Sequence, residues 1–179
     1  MAETPPTGPS VREIPEGDNR ERLVCPDCGF VNYENPKVVV GAVCTWNGKL
    51  LLCRRAIEPR RGFWTIPAGY LELNETAEAG VAREVREEAC TEIALEGLIG
   101  IYNVPRISQI QLIYRATLAD GTFGAGEETL ELDLFGWDDI PWDDLAFPSV
   151  RWALDHWREI ADAPHWPPFT NPPGEDGNY

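Results

Sequence analysis

Three glutamates in a helix-forming stretch are the residues whose types and spacing most clearly point to chemistry. Glu84, Glu87 and Glu88 stand at positions i, i+3 and i+4, so on a helix their side chains point the same way. Three neighbouring carboxylates repel one another. A hard divalent cation such as Mg²⁺ removes that repulsion, because it prefers oxygen ligands. A solvated acidic helix face is the alternative interpretation of the same pattern.

The overall charge bears on which partners the protein can have. The chain has 30 acidic and 15 basic residues and a net charge of −15. Such a surface repels a nucleic-acid backbone, so we expect no nucleic-acid partner. It also repels phosphorylated substrates, so a phosphate site would need local cations or a bound metal. No apolar run is long enough to span a bilayer, and we expect no membrane association. Five cysteines without the spacing of a disulfide framework favour a reduced, cytoplasmic protein.

The elements that must position the acidic stretch follow from hydrophobic periodicity and turn residues. The pattern predicts strands at residues 38–44, 50–53, 63–66, 95–104, 107–117 and 130–137, and helices at about 76–89 and 149–160. Asn47-Gly48 is a strong hairpin signal between the first two strands. Asn74 or Thr76 is the expected cap of the first helix. Strands around one early and one late helix predict a mixed-sheet α/β protein with helices on two faces.

The acidic stretch, with the loop before it, resembles the Nudix box of Nudix hydrolases. Its fixed positions are supplied by Gly69, Glu75, Arg83, Glu84, Val85, Glu87 and Glu88. The end of the motif departs from the family pattern, since Cys90 stands where the box has glycine and Thr91 where it has an aliphatic residue. The resemblance implies a Nudix-type α/β/α sandwich with a mixed sheet. It also implies a pyrophosphohydrolase that requires Mg²⁺ or Mn²⁺.

The resemblance implies particular roles for the box residues. Glu84 and Glu88 look like the main metal ligands, and Glu87 looks like a ligand or a water-orienting group. The carbonyl of Ala68, just before the box glycine, is expected to add a metal contact. The implied reaction is attack of a metal-activated water on one phosphorus of a diphosphate.

Other carboxylates and one arginine complete the implied catalytic set. Arg83 is expected to pair with Glu75 and to hold the preceding loop against the helix. Family members often take a further carboxylate from a later loop, for which Glu128 and Glu131 are the candidates and Glu127 a weaker one. A solvated acidic turn is the alternative for each of these three.

The sequence suggests four segments along the chain. They are a disordered N-terminus at 1–13, a zinc-ribbon-like segment at 14–36, a Nudix domain at 37–160 and an irregular Pro-rich tail at 161–179. The second segment has one Cys-x-x-Cys, at Cys25 and Cys28, and no earlier cysteine. Structural zinc requires four ligands, so zinc at this pair is not expected. A relic knuckle, a packed turn and half of a site shared between two chains remain open.

Residues outside the box bear on the substrate. The stretches 64–72, 127–131 and 139–147 resemble those of family members that act on FAD or ADP-ribose, and Pro105 lies about where ADP-ribose hydrolases carry a proline. Arg54, Arg55 and Arg106 are candidates for binding substrate phosphates, and Tyr102 for stacking on a substrate ring. The alternatives are solvated loop arginines and a core tyrosine.

We therefore expect a nucleotide substrate with a diphosphate linkage, such as FAD or ADP-ribose. One alternative is a pyrophosphatase of nucleoside triphosphates or oxidised nucleotides. Another is a non-catalytic module that senses a nucleotide. Many Nudix proteins dimerise, so a homodimer is compatible with the sequence.

Overall fold

A computed structural model describes residues 8–177, in two compact units divided between Asn35 and Pro36. The first unit holds a three-stranded antiparallel sheet in the order β1-β2-β3. Its strands are β1 (Val11–Glu13), β2 (Arg22–Val24) and β3 (Val31–Asn32). The expectation of disorder through residue 13 is therefore wrong for β1, because its backbone pairs with β2 in a way that composition alone does not reveal. Residues 1–7 of that segment lie outside the described residues.

The Cys-x-x-Cys pair lies in a tight turn of the first unit. The N–H of Cys25 donates to the carbonyl of Phe30 at 2.8 Å, and the N–H of Gly29 donates to the carbonyl of Cys25 at 2.9 Å. Gly29 has a positive φ of 72°, which a residue with a side chain rarely adopts. Cys25 is buried and Cys28 is exposed.

The second unit is built on a seven-stranded mixed sheet. Its strands are β4 (Lys37–Trp46), β5 (Lys49–Arg55), β6 (Trp64–Thr65), β7 (Ala68–Tyr70), β8 (Ile93–Val104), β9 (Gln109–Leu118) and β10 (Thr129–Phe135). The order is β10-β5-β4-β9-β8, with β6 paired to β5 and β7 to β4. The β4–β9 pair is parallel and the other pairs are antiparallel.

Two helices, α1 (Ala77–Ala89) and α2 (Pro148–Glu159), cover the two faces of this sheet. Successive residues of β4 point to opposite faces. Val43 packs in the cluster that includes Leu154 of α2, whereas Ala42 packs in the cluster that includes Val81 and Val85 of α1. The predicted mixed-sheet α/β sandwich is confirmed. No helix in residues 8–177 has the length and apolar character needed to cross a membrane.

The predicted elements differ from the observed ones mainly near Pro105. The strand expected from residue 107 begins instead at Gln109, because Pro105–Ile107 forms a 3-10 turn that ends at Ser108 with φ of 51°. The short strand β7 was not predicted. The hairpin turn occurs where expected, with positive φ values of 48° at Asn47 and 75° at Gly48.

Both ends of α1 have identifiable caps. The hydroxyl of Thr76 accepts a hydrogen bond from the N–H of Ala79 at 3.2 Å. At the other end Cys90 adopts the left-handed conformation, with φ of 48° and ψ of 39°. That is the position where the Nudix box has glycine, and glycine adopts this conformation without steric cost. The cysteine therefore introduces local strain at the end of the acidic helix.

Replacing this cysteine with glycine should stabilise the protein. Cys90 is exposed, so Cys90→Gly loses little packing and relieves a left-handed conformation that costs roughly 1–2 kcal/mol for a residue with a side chain. Glycine's greater freedom in the unfolded chain offsets part of this, which leaves a gain of about 1 kcal/mol. Chemical denaturation measures it. Cys90→Ala removes the thiol but keeps the strain, so an equal gain from that control would contradict the explanation.

Candidate functional site

A cavity of about 800 Å³ lies in the second unit, along one side of α1 and the strands β7, β4 and β9. Its volume is within the usual range for small-molecule sites. Glu84, Glu87 and Glu88 of α1 all line it, and so does Ala68 of β7. The box residues predicted to bind metal therefore meet in one cavity.

The two carboxylates nearest β7 are almost completely buried. Glu84 is 8% exposed and Glu88 is 7% exposed. An Oε atom of Glu88 accepts a hydrogen bond from the backbone N–H of Ala68 at 3.1 Å. Only glycine fits at position 69, because the Glu84 carboxylate lies directly against its backbone. A Cβ there would stand 2.3 Å from Oε2 of Glu84. The box glycine thus permits the close approach of strand and helix.

Burial also perturbs the acidity of these groups. It raises the pKa of Glu88 to about 8; the Ala68 N–H lowers this pKa, and the negative charge of Glu84 raises it. Burial likewise raises the pKa of Glu84, against the lowering effect of the hydrogen bond from Arg83. Negative charge is therefore costly at this point of the structure without a cation.

Arg83 supplies positive charge that contacts Glu84 and Glu87 directly. Its Nη2 donates to Glu75 at 2.7 Å and to the carbonyl of Tyr70 at 2.9 Å, so the predicted Arg83–Glu75 pair is present. Its Nη1 donates to Glu84 at 2.6 Å and to Glu87 at 3.0 Å, which was not predicted. One guanidinium therefore links the loop before α1 to two of the three helix carboxylates.

The donor set suits a divalent metal ion. Carboxylate oxygens are the ligands that Mg²⁺ prefers, and a cation would relieve the repulsion between the buried Glu84 and Glu88. Among residues 8–177, no group of three His, Cys, Asp or Glu side chains is arranged closely enough to hold an ion. Glu84 and Glu87 are instead engaged by Arg83. Binding an ion would require them to exchange part of that contact for the metal.

A glycine-containing loop ahead of β10 brings further carboxylates to the cavity. The N–H groups of Gly124 and Gly126 donate to the carbonyls of Ala89 and Glu88, at 2.9 and 3.2 Å. These carbonyls belong to the last turn of α1 and lack helical partners. The loop is thus fixed to the end of the helix, and Glu127 and Glu128, which follow it, line the cavity.

Arg55 presents an ordered guanidinium to the same cavity. Its Nε donates to the carbonyl of Pro59 at 2.8 Å, and its Cζ lies 5.2 Å from the ring centroid of Phe147. Neither Nη atom has a hydrogen-bond partner within residues 8–177. The positive charge lowers the pKa of Glu88. Arg106, in the 3-10 turn after β8, also lines the cavity.

Three predicted site residues lie elsewhere. Arg54 points away from the cavity and pairs with Glu131 at 3.1 Å, because the two are cross-strand neighbours on β5 and β10. Neither residue lines the cavity. Tyr102 is fully buried, and its hydroxyl lies 2.7 Å from Nδ1 of His156. The core interpretation of Tyr102 is therefore correct, and its assignment to substrate stacking is wrong.

Some cavity residues were not predicted from the sequence. Phe147 and Ser149, at the start of α2, line the cavity, and so does Gly177 in the C-terminal tail. The Phe-Pro pair at the start of α2 is a helix-start signal, since proline is favoured in the first turn. It predicts where the helix begins but not which side faces a ligand. No sequence signal marks Gly177.

Comparison with known proteins places this architecture in a family. The profile described as NUDIX domain matches residues 35–157, and that described as Nudix N-terminal matches residues 7–34. A NUDIX hydrolase from Nitrosomonas europaea has a similar crystal structure, with a TM-score of 0.84 and 43% identity. That similarity covers 89% of this chain and 91% of the other.

Several similar proteins have functional names, including two that match most of this chain. An ADP-ribose pyrophosphatase of Methanocaldococcus jannaschii is 28% identical over 138 residues, which is 75% of this chain and 76% of the relative. The NAD-capped RNA hydrolase NudC of Pseudomonas aeruginosa is 32% identical over 129 residues, or 69% of this chain. The match covers only 45% of that relative, so this chain spans under half its length. The predicted resemblance, including the N-terminal segment, is confirmed.

Proposed function

Because this chain belongs to the Nudix hydrolase family, we propose that it cleaves the diphosphate linkage of an ADP-ribose-like nucleotide with the help of Mg²⁺ or Mn²⁺. The observation that carries the proposal is a single cavity that combines two buried carboxylates with an ordered arginine. Glu84 and Glu88 supply oxygen ligands for a cation, while the Nη atoms of Arg55 are available to a phosphate. FAD is the other candidate substrate with such a linkage.

The names of the relatives support this substrate class. The Methanocaldococcus jannaschii relative is named an ADP-ribose pyrophosphatase, and the match extends over three quarters of both chains. The NudC relative acts, by its name, on NAD-capped RNA, which also contains a nucleotide diphosphate linkage. Both point to a diphosphate that joins two larger groups.

The chemistry that fits the cavity is hydrolysis by a directed water molecule. A bound divalent ion would lower the pKa of water and neutralise charge that develops on phosphoryl oxygens. Glu84 and Glu88, with the carbonyl of Ala68, would hold that ion, and Glu87 or Glu128 would take the proton of the attacking water. The new bond joins the water oxygen to one phosphorus. The bridging oxygen leaves with the other phosphate, which gives two phosphomonoesters.

Arg83 is expected to support the site rather than to touch the reacting atoms. It joins Glu75 to Glu84 and Glu87, so it sets the orientation of two carboxylates. Arg55 is expected to bind a phosphate oxygen, since a planar guanidinium with two available Nη atoms suits bidentate contact. Arg106, which also lines the cavity, would contribute further positive charge there.

A substrate panel tests the proposal. The full chain is incubated with ADP-ribose, FAD, NADH and nucleoside triphosphates, in Mg²⁺ or Mn²⁺, and the products are identified by mass. We expect two phosphomonoesters from ADP-ribose, and none when the metal is chelated. Pyrophosphate released only from triphosphates would favour the alternative pyrophosphatase. Tight binding without turnover would favour a sensing module.

The neighbouring arginines of β5 offer a matched test of substrate binding. Arg55→Ala should raise KM for ADP-ribose by about tenfold, in the range expected for a lost charge-assisted hydrogen bond. Arg54→Ala removes the same charge from a residue that pairs with Glu131 outside the cavity, so its KM should stay near that of the native chain. Steady-state kinetics at fixed ionic strength measure both. Equal increases for the two variants would mean that only overall charge matters.

A further inference from the structure

The C-terminal tail is irregular in secondary structure but is held to the sheet and to α2 at several points. The N–H of Phe169 donates to the carbonyl of Ile99 at 2.8 Å, and the N–H of Ile101 donates to the carbonyl of Phe169 at 2.9 Å. The Phe169 ring also stacks on His156 of α2, with the centroids 4.2 Å apart. Because β8 is the last strand of the sheet, this part of the tail covers its open edge.

Two further anchors direct the tail toward the cavity. The side chain of Asn171 pairs with both backbone groups of Asn103, at 2.8 Å for each hydrogen bond. A turn then brings Glu175 back, where its carboxylate accepts a hydrogen bond from Nε1 of Trp152 in the first half of α2 at 2.5 Å. Trp152 is 3% exposed, so this anchor lies against the core. The tail therefore bridges the end of β8 and α2.

The segment ends against a residue of the cavity wall. Gly177 is buried, lines the cavity and has a positive φ of 79°. A Cβ on it would stand 3.1 Å from both Cγ atoms of Val104, the last residue of β8. Val104 is 5% exposed and lines the same cavity. The tail and the end of β8 thus form one wall, whose close packing requires glycine.

This wall is displaced from the carboxylates along the sheet, in the direction perpendicular to the strands. Ala68 of β7 contacts Glu88, and β7 is followed in the sheet by β4, β9 and β8. Three spacings of about 4.8 Å separate β7 from β8, or about 14 Å across the sheet. A diphosphate held at the carboxylates would therefore extend the rest of the nucleotide over β4 and β9 toward Val104 and Gly177.

We propose that the segment 169–177 is a specificity determinant that limits the length of the nucleotide in the cavity. This inference rests on the proposed function of the same cavity. It predicts that ADP-ribose fits within the wall and that FAD, which carries a larger group on the diphosphate, is disfavoured by it. Removing the end of the tail opens the cavity next to Val104 and admits the larger compound.

The experiment compares the full chain with a variant that lacks residues 175–179. Dissociation constants for ADP-ribose and FAD are measured by calorimetry in Ca²⁺, with the ligands checked by mass afterwards, and kcat and KM are measured in Mg²⁺. The ratio of the dissociation constant for FAD to that for ADP-ribose should fall by about tenfold in the shortened chain. The kcat for ADP-ribose should change little, because the carboxylates lie about 14 Å from the tail, three strand spacings along the sheet.

Point variants keep the test decisive if the shortened chain fails to fold. Glu175→Ala removes the acceptor for Trp152 and should lower the ratio in the same direction. Glu175→Gln keeps an acceptor oxygen and should behave like the native chain. A change in thermal stability without a change in the ratio, in both Glu175→Ala and the shortened chain, would show that the tail serves stability alone and would overturn the proposal.

The outcomes also separate this proposal from the function on which it rests. If the full chain hydrolyses ADP-ribose but the ratio of the two dissociation constants is the same with and without the tail, the specificity proposal is overturned and the proposed hydrolase function stands. If the ratio shifts but neither compound is hydrolysed, the specificity proposal stands and the proposed hydrolase function is overturned. If neither compound is bound or hydrolysed, both proposals are overturned.

Discussion

Glu88→Gln should reduce kcat/KM for ADP-ribose by at least about 100-fold, because it removes a proposed ligand of the metal ion. Such an ion lowers the activation free energy of phosphoryl-group hydrolysis by several kcal/mol. The amide has nearly the shape of the carboxylate and can still accept the hydrogen bond from the N–H of Ala68. It also removes a buried ionisable group close to Glu84, whose negative charge raises the pKa of Glu88. The variant should therefore fold and lose activity.

Glu78→Gln is the matched control, because Glu78 is an exposed carboxylate in the first turn of the same helix. Its activity should stay close to that of the native chain. Thermal unfolding adds a measurement that is independent of turnover: at an Mg²⁺ concentration about 100 times its Kd, the ion should stabilise the native chain by about 2.7 kcal/mol. Glu88→Gln should show a much smaller shift. Full Mg²⁺-dependent activity in this variant would remove the basis for the assigned metal site.

Gly126→Ala should disrupt both the end of α1 and the cavity. A Cβ at this position would lie 1.7 Å from the carbonyl oxygen of Glu87, which is backbone and cannot turn aside. The loop must move, and the hydrogen bond from Gly126 to the carbonyl of Glu88 is lost with it. We expect a loss of about 1–3 kcal/mol in the free energy of unfolding, as for other overpacked sites. Displacement of Glu127 and Glu128 should also lower kcat.

Gly124→Ala in the same loop provides the comparison. A Cβ there would have as its nearest neighbour the Cβ of Cys90 at 3.9 Å, which is ordinary contact. Its effect on stability should be within about 0.5 kcal/mol, as for most surface substitutions. Urea denaturation and steady-state kinetics of the two variants measure the difference. If the two alanines were equally harmful, loss of glycine flexibility rather than the contact with Glu87 would be the cause.

Local sequence patterns were sufficient to predict most of the fold. Positive φ at Asn47 and Gly48 follows from a two-residue turn that only such residues favour. Helical spacing predicts a core face of α1 at Ala79, Ala82, Val85 and Ala89. This prediction is correct for Val85 and Ala89 and wrong for Ala79, which is exposed, while Val81 is buried instead. The exceptions depend on distant partners. Strand β7 exists because it pairs with β4, and β1 because it pairs with β2.

The candidate site was predictable only where its geometry is local. Neighbouring residues of a strand point to opposite faces, so Arg54 and Arg55 could not both enter one cavity. Which of the two arginines lines the cavity depends on β10. Glu131 of β10 lies opposite Arg54 and forms an ion pair with it outside the cavity. Glu128 and Glu131 are also separated, because Glu128 precedes β10 and Glu131 lies within it. The loop held by Gly124 and Gly126 brings the former to the cavity and leaves the latter on the outer strand.

The sequence by itself determined the acidic side of α1, because the positions of Glu84, Glu87 and Glu88 on one helix face follow from helical spacing alone. It also determined the family, since the box motif is contiguous. Only the tertiary structure decided what surrounds those carboxylates. The burial of Tyr102, the orientation of Arg55 and the packing of Gly177 on Val104 arise from contacts between residues far apart in the chain. The energies of such contacts depend on three-dimensional packing, which no local spacing encodes.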